Sequence, residues 1–146
     1  MKSAAVAASA LFLVGNSAPA PVTGSVSVTI TDLRSDKGVV RACMTRDPKR
    51  FPDCRDGDVT YRTIVKADET VHFSFPAVKP GRYAIALLHD ENNNGKADRA
   101  LMMMPTEGYG FSRDAKVRLG PPRFRDAAFD VAPRKQTHTI AMRYML

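Results

Sequence analysis

The chain has 146 residues, room for one domain of ordinary size and too few for two. An apolar fraction of 44% can build a core, and a charged fraction of 25% is ordinary for a globular protein, which argues against wholesale disorder. The net charge of +7 comes from scattered Arg and Lys, with no dense basic helix and no aromatic-interleaved basic motif. Nucleic acid is therefore not the expected partner, and the basic excess serves solubility first and acidic envelope surfaces second.

Lys2 follows Met1, residues 4–14 are apolar apart from Ser9, and the small residues Gly15, Ser17, Ala18 and Ala20 come next. A short basic region, an apolar region and a small-residue zone make the layout of a secretory signal peptide. The apolar run falls well short of the roughly 20 residues that span a bilayer. Residues 1–20 are thus expected to be a signal peptide and residues 21–146 a single exported domain, periplasmic or secreted, with no transmembrane segment. A membrane anchor or a buried helix is the alternative. Ala18-Pro19-Ala20 has the form of a cleavage site, and cleavage after Ser17 competes with it.

Val26, Val28 and Ile30 alternate with Ser and Thr, the period-2 pattern of a half-buried strand. A turn at Arg34-Ser35-Asp36-Lys37-Gly38 leads to a second strand over residues 39–44. Residues 44–53, with Pro48 and Pro52, read as an irregular excursion. It is bounded by Cys43 and Cys54, the chain's two cysteines, which allow one intramolecular pairing. In an exported protein a disulfide is expected there, and two buried thiols are the alternative.

Residues 60–65 form a further strand candidate, and Val71, Phe73 and Phe75 alternate with His72 and Ser74 in another. Residues 82–89 (RYAIALLH) are apolar on both faces, which marks the most buried strand. A short apolar run follows at 101–104. The glycines and prolines from Gly108 to Pro122 then read as a long loop-rich region. Residues 127–131 and 137–144 close the chain as strands. About seven short strands separated by turn clusters predict an all-β, antiparallel sandwich, with a small barrel as runner-up.

Residues 89–98 read His-Asp-Glu-Asn-Asn-Asn-Gly-Lys-Ala-Asp. Counted from Asp90, oxygen-bearing side chains fall at positions 1, 3, 5 and 9 (Asp90, Asn92, Asn94, Asp98). Gly95 stands at position 6, and Lys96 at position 7 can offer its carbonyl. This spacing is that of a calcium loop, because a hard cation takes six to eight oxygens and alternate side chains on a tight curl converge. Position 12 is Leu101 rather than the closing Glu, so an outside acid is needed, and Glu107 in the next loop is the candidate. Calcium is the one candidate cofactor. The competing reading is a polar turn, in which Asn and Asp cap the backbone and Gly supplies positive φ. Glu91 at position 2 should point away from the loop, and His89 should be held by a backbone hydrogen bond rather than serve as a ligand.

The strings GRYAIALLHDENNNGKAD (81–98), PTEGYGFS (105–112) and GPPRFRDAAFDV (120–131) together resemble the domain of unknown function 2141 family, exported proteins mostly of Gram-negative bacteria. The resemblance runs from about Gly24 to Tyr144. It implies an immunoglobulin- or transthyretin-like β-sandwich and no particular activity. It also joins the 90–98 loop to the segment at 107–112, where Tyr109 and Phe111 offer flat apolar faces for a ligand. The bland alternative is that these aromatics seal the end of the sandwich.

No nucleophile elbow, zinc-protease motif, phosphate loop or dinucleotide fingerprint occurs in the sequence. The leading expectation is a non-catalytic envelope module for an unknown ligand or protein partner, stabilised by calcium if the loop takes it. A metal-assisted hydrolase using Asp90 and Glu107 is one alternative. A carbohydrate-binding module that stacks sugars on Tyr109 and Phe111 is the other.

Overall fold

The computed structural model describes Gly15 and residues 17–54, 60–97 and 105–145. The apolar N-terminal segment at 4–14, Asp98 and the run at 101–104 lie outside the described residues. Among those described there are eight strands, in chain order β1 (Gly24–Thr31), β2 (Val39–Thr45), β3 (Thr60–Lys66), β4 (Val71–Val78), β5 (Gly81–Asp90), β6 (Gly108–Phe111), β7 (Phe129–Val131) and β8 (Lys135–Ala141). They make two sheets, β4-β1-β8 and β3-β2-β5-β6, with β7 paired to the start of β5.

The period-2 patterns decide which face of each strand is buried. Along β1 every second residue is buried, and Val26, Val28 and Ile30 are almost wholly removed from water. They meet Val40, Ala42 and Met44 of β2 and Tyr83, Ile85 and Leu87 of β5 in one core between the sheets. Side chains alternate across a strand, so the same residues of β5 cannot account for its other face. That face carries Ala84 and Ala86, covered by Phe51, Phe111, Ala115 and Ala127 in a second cluster. The small alanines leave room for the rings above them: Phe51 lies edge-on to Phe111 at 5.8 Å and to Phe124 at 6.1 Å. β5 is therefore buried on both faces, as its sequence predicts.

The disulfide fixes this cover. Cys43 is on the outer face of β2, opposite Ala86 in register, and is bonded to Cys54, with Cα atoms 6.2 Å apart. The excursion between them is thereby folded down so that Phe51 lands on β5.

Two features depart from the sequence expectations. The segment at 108–111, read as loop, is a strand, and it raises the strand number from about seven to eight. Its glycines hide it from propensity. A Cβ on Gly108 would stand 2.3 Å from the Tyr144 ring, and one on Gly110 would stand 3.0 Å from Ile140. Close approach, not flexibility, explains both glycines. Second, β1 and β8 pair in parallel within an otherwise antiparallel architecture. Parallel neighbours need a long crossover, and here nearly the whole sandwich separates the two strands in sequence. Beyond β8, Tyr109 and Arg143 exchange backbone hydrogen bonds of 3.0 and 2.9 Å, stitching the two sheets along one side.

Candidate functional site

The end of β5 sends successive side chains to opposite sides of the sheet. His89 faces the core side and Asp90 the outer side, while Glu91, in the turn just beyond, meets the β1–β2 loop. Each meets a different partner, and together they organise one end of the sandwich.

Asp90 is fully buried. Arg41, diagonal to it across the β2–β5 pairing, donates Nε–H to Oδ2 at 2.7 Å. The Gly95 amide donates to the same oxygen at 2.8 Å, and the Asn94 amide to Oδ1 at 3.0 Å. Arg41 also donates Nη2–H to Asn93 Oδ1 at 2.9 Å. Burial pushes the Asp90 carboxyl up, but the Arg41 guanidinium and the two amides outweigh it and hold the group below its ordinary value. The asparagines cap the same turn: Asn92 Oδ1 accepts from the Asn94 amide at 3.1 Å, and Asn94 Oδ1 from the Lys96 amide at 2.8 Å. Positive φ at Asn93 (55°) and Gly95 (76°) closes the curl.

Glu91 turns away from this loop, as its position predicts. Arg34 grips both its oxygens through Nε and Nη2, and Ser35 Oγ donates to Oε1 at 2.7 Å. The Arg34 hydrogen bonds, aided by Ser35 and opposed by burial, pull the Glu91 carboxyl down to about 2. Arg34 also donates to the Thr106 carbonyl at 2.8 Å and stacks its guanidinium 4.5 Å above the Tyr144 ring.

His89 is buried and bonded at both nitrogens. Nε2 lies 2.8 Å from the Lys37 carbonyl, which can only accept, so Nε2 carries a proton. Nδ1 is 2.7 Å from the Tyr144 hydroxyl, whose oxygen in turn accepts from the Arg34 amide at 3.2 Å. The β1–β2 loop, the end of β5, the segment before β6 and the chain after β8 are thus tied into one polar cluster.

Beside it, Arg34, Lys37, Glu91, Asn92, Thr106 and Glu107 line a shallow pocket of about 330 Å³. Glu107 is buried there and shares the lining of the pocket with Glu91 and Asn92, the residues that follow Asp90. The proposed ligands therefore fall into two groups. Asp90, Asn92, Asn94 and Lys96 form the curl, Glu107 lines the pocket together with Asn92, and Asp98 lies outside the described residues. Among the described residues no three His, Cys, Asp or Glu side chains are grouped to hold a metal ion. Of the two aromatics, Phe111 is a core side chain, only 6% exposed beneath Phe51, and offers no face to a sugar. Tyr109 is half-buried, 6.0 Å from Phe111.

Sequence reasoning passed over the residues that hold this end together. Arg41 was one scattered cation among many, and Arg34 one residue of a turn. Tyr144 was the last residue of the closing strand expected at 137–144, whereas β8 ends at Ala141 and Tyr144 stands beyond it. The single signal for Tyr144 was Gly108, a glycine that a neighbouring ring demands.

The chain belongs to the family described as "Uncharacterized protein conserved in bacteria (DUF2141)", whose model matches residues 28–139, nearly the whole sandwich. It matches no curated protein and no solved structure.

Proposed function

We propose that this protein is a non-catalytic, exported module of the bacterial envelope that takes a polar ligand or a protein partner at the Asp90 end of its sandwich. The observation that carries the reading is the convergence of the β1–β2 loop, the end of β5 and the segment before β6 on one shallow polar pocket. Ligand sites favour such places, where loops meet on a rigid scaffold.

The ion pair at Asp90 supports a binding role over a catalytic one. A general acid must hold its proton near neutral pH, and Asp90, one of the two acids of the hydrolase reading, is paired with Arg41. Phe111 in the core leaves the carbohydrate reading with Tyr109 alone. In this reading the curl at Asp90 is closed by Arg41 and its own amides, and calcium is not required. Export is the reading that suits the N-terminal segment, and a disulfide between Cys43 and Cys54 persists in an oxidising compartment.

Thermal-shift screening of peptidoglycan fragments, oligosaccharides and peptides tests the proposal. A stabilising compound should lose its effect in Lys37→Ala and Asn92→Ala, whose side chains line the pocket, and should be recovered unchanged. A compound that stabilises both variants as well as the wild type, or that is converted to product, overturns it. Calcium at millimolar concentration should leave the melting temperature of the wild type unmoved; a rise of several degrees would return the metal to the site.

A further inference from the structure

After β6 the chain heads away from the Asp90 end and returns to the sheet at β7, beside Gly81–Tyr83 at the start of β5. The stretch between, residues 113–126, holds five cations (Arg113, Lys116, Arg118, Arg123, Arg125) against two carboxylates, Asp114 and Asp126. It is the most concentrated positive charge in the chain, and all five cations are exposed. Both carboxylates are already engaged. Asp126 is paired with Arg123 at 3.2 Å and Arg125 at 3.8 Å, and Asp114 accepts from the Ala141 amide at 3.1 Å.

Lys116, Arg118, Arg123 and Asp126 line an open concavity of about 580 Å³ together with Gly120 and Pro121. At its rim Leu119 is 106% exposed, the most exposed of the large apolar side chains among the described residues. Nothing lies within 4 Å of where a Cβ on Gly120 would stand, Pro121 and Pro122 fix their own φ, and Pro122 is buried as an anchor. An aliphatic tip held in water amid cations has a recognisable use. The cations meet anionic head groups, and the leucine enters the acyl boundary.

We infer that the loop at 113–126 docks this protein on an anionic lipid surface, with Lys116, Arg118 and Arg123 on the phosphates and Leu119 inserted below them. Charge complementarity points to an anionic partner, and Leu119 points to lipid. A soluble polyanion gains little from an exposed aliphatic side chain, whereas a bilayer gains its transfer from water. Among the described residues no helix is long and apolar enough to cross a membrane, and the contact argued for is made by the loop.

The chain contains no tryptophan, so Leu119→Trp places a unique reporter at the tip, where no packing is disturbed. It reads the loop alone, whatever the N-terminal segment does. On phosphatidylglycerol vesicles the emission should shift to the blue and be quenched by brominated acyl chains. Adding Lys116→Glu, Arg118→Glu and Arg123→Glu should weaken binding by about fivefold or more for each cation lost, as should salt near 0.5 M. An unshifted emission on these vesicles overturns the inference. So does an equal shift on phosphatidylcholine vesicles, which would remove the role of charge. An equal shift with soluble polyphosphate also overturns it, by making the loop a polyanion site.

Discussion

Replacing Arg41 with methionine tests the central reading of the Asp90 loop. Methionine keeps much of the aliphatic stem of Arg41 and removes the guanidinium. Asp90 would stay buried with two amide donors but without its counter-ion. Removing one partner of a fully buried pair costs about 3–5 kcal/mol. Here Arg41 is 29% exposed and the amides remain, so the loss should be smaller, about 2 kcal/mol at pH 7. The pH dependence carries a definite sign. In the wild type the folded-state carboxyl is below its ordinary value, so its stabilisation is present above the unfolded pKa of about 3.9 and is lost as pH falls through the folded value. Without Arg41, burial acts with only the amides against it and the folded pKa rises. The acid limb of the stability curve should then begin at higher pH. Urea denaturation at pH 7 and pH 4.5, with melts across the range, measures both effects. If Arg41→Met matches the wild type within 0.5 kcal/mol and its acid limb does not move, the guanidinium is not the counter-ion that closes this turn.

Further outcomes follow from other buried groups. Reducing the disulfide, or the pair Cys43→Ser and Cys54→Ser, should cost about 3 kcal/mol and loosen the cover over Ala84 and Ala86, read by urea denaturation and by binding of a hydrophobic dye. Ser112→Ala should cost about 2 kcal/mol in the same assay. The buried Ser112 hydroxyl accepts from the Ile85 amide at 2.9 Å and donates to the Ala127 carbonyl at 2.6 Å, bridging the gap between the pairings of β6 and β7 along β5. Burial holds the His138 imidazole below its ordinary value; its Nε2 is buried without a hydrogen-bond partner, and its ring lies 4.1 Å from that of Phe129. The unfolded chain then takes up a proton first, so stability should fall as pH drops below about 6.5, by at most about 1.4 kcal/mol per pH unit. His138→Phe should flatten that slope, and an unchanged slope would assign it to another group.

Much of the sandwich was legible because strand patterns are local. Val26, Val28 and Ile30 declare their buried face by alternation, and the two-sided apolar run of β5 declares a strand covered on both sides. The same locality exposed the curl at 90–96, since Asn, Asp and Gly impose its backbone wherever the turn stands. The strand at 108–111 was hidden for the converse reason: its glycines answer to Tyr144 and Ile140, which come from the other end of the chain.

The sequence by itself determined seven of the eight described strands, which faces they bury, and where the acidic turn falls. Only the tertiary structure decided which side chain from elsewhere in the chain pairs with its carboxylate. The β2–β5 register sets Val39 opposite Asp90 and so brings Arg41 to the carboxylate from 49 residues away. The spacing of oxygens around a loop shows what the loop can offer a cation. The charge beside its first carboxylate is set by the neighbouring strand, and here β2 delivers a guanidinium.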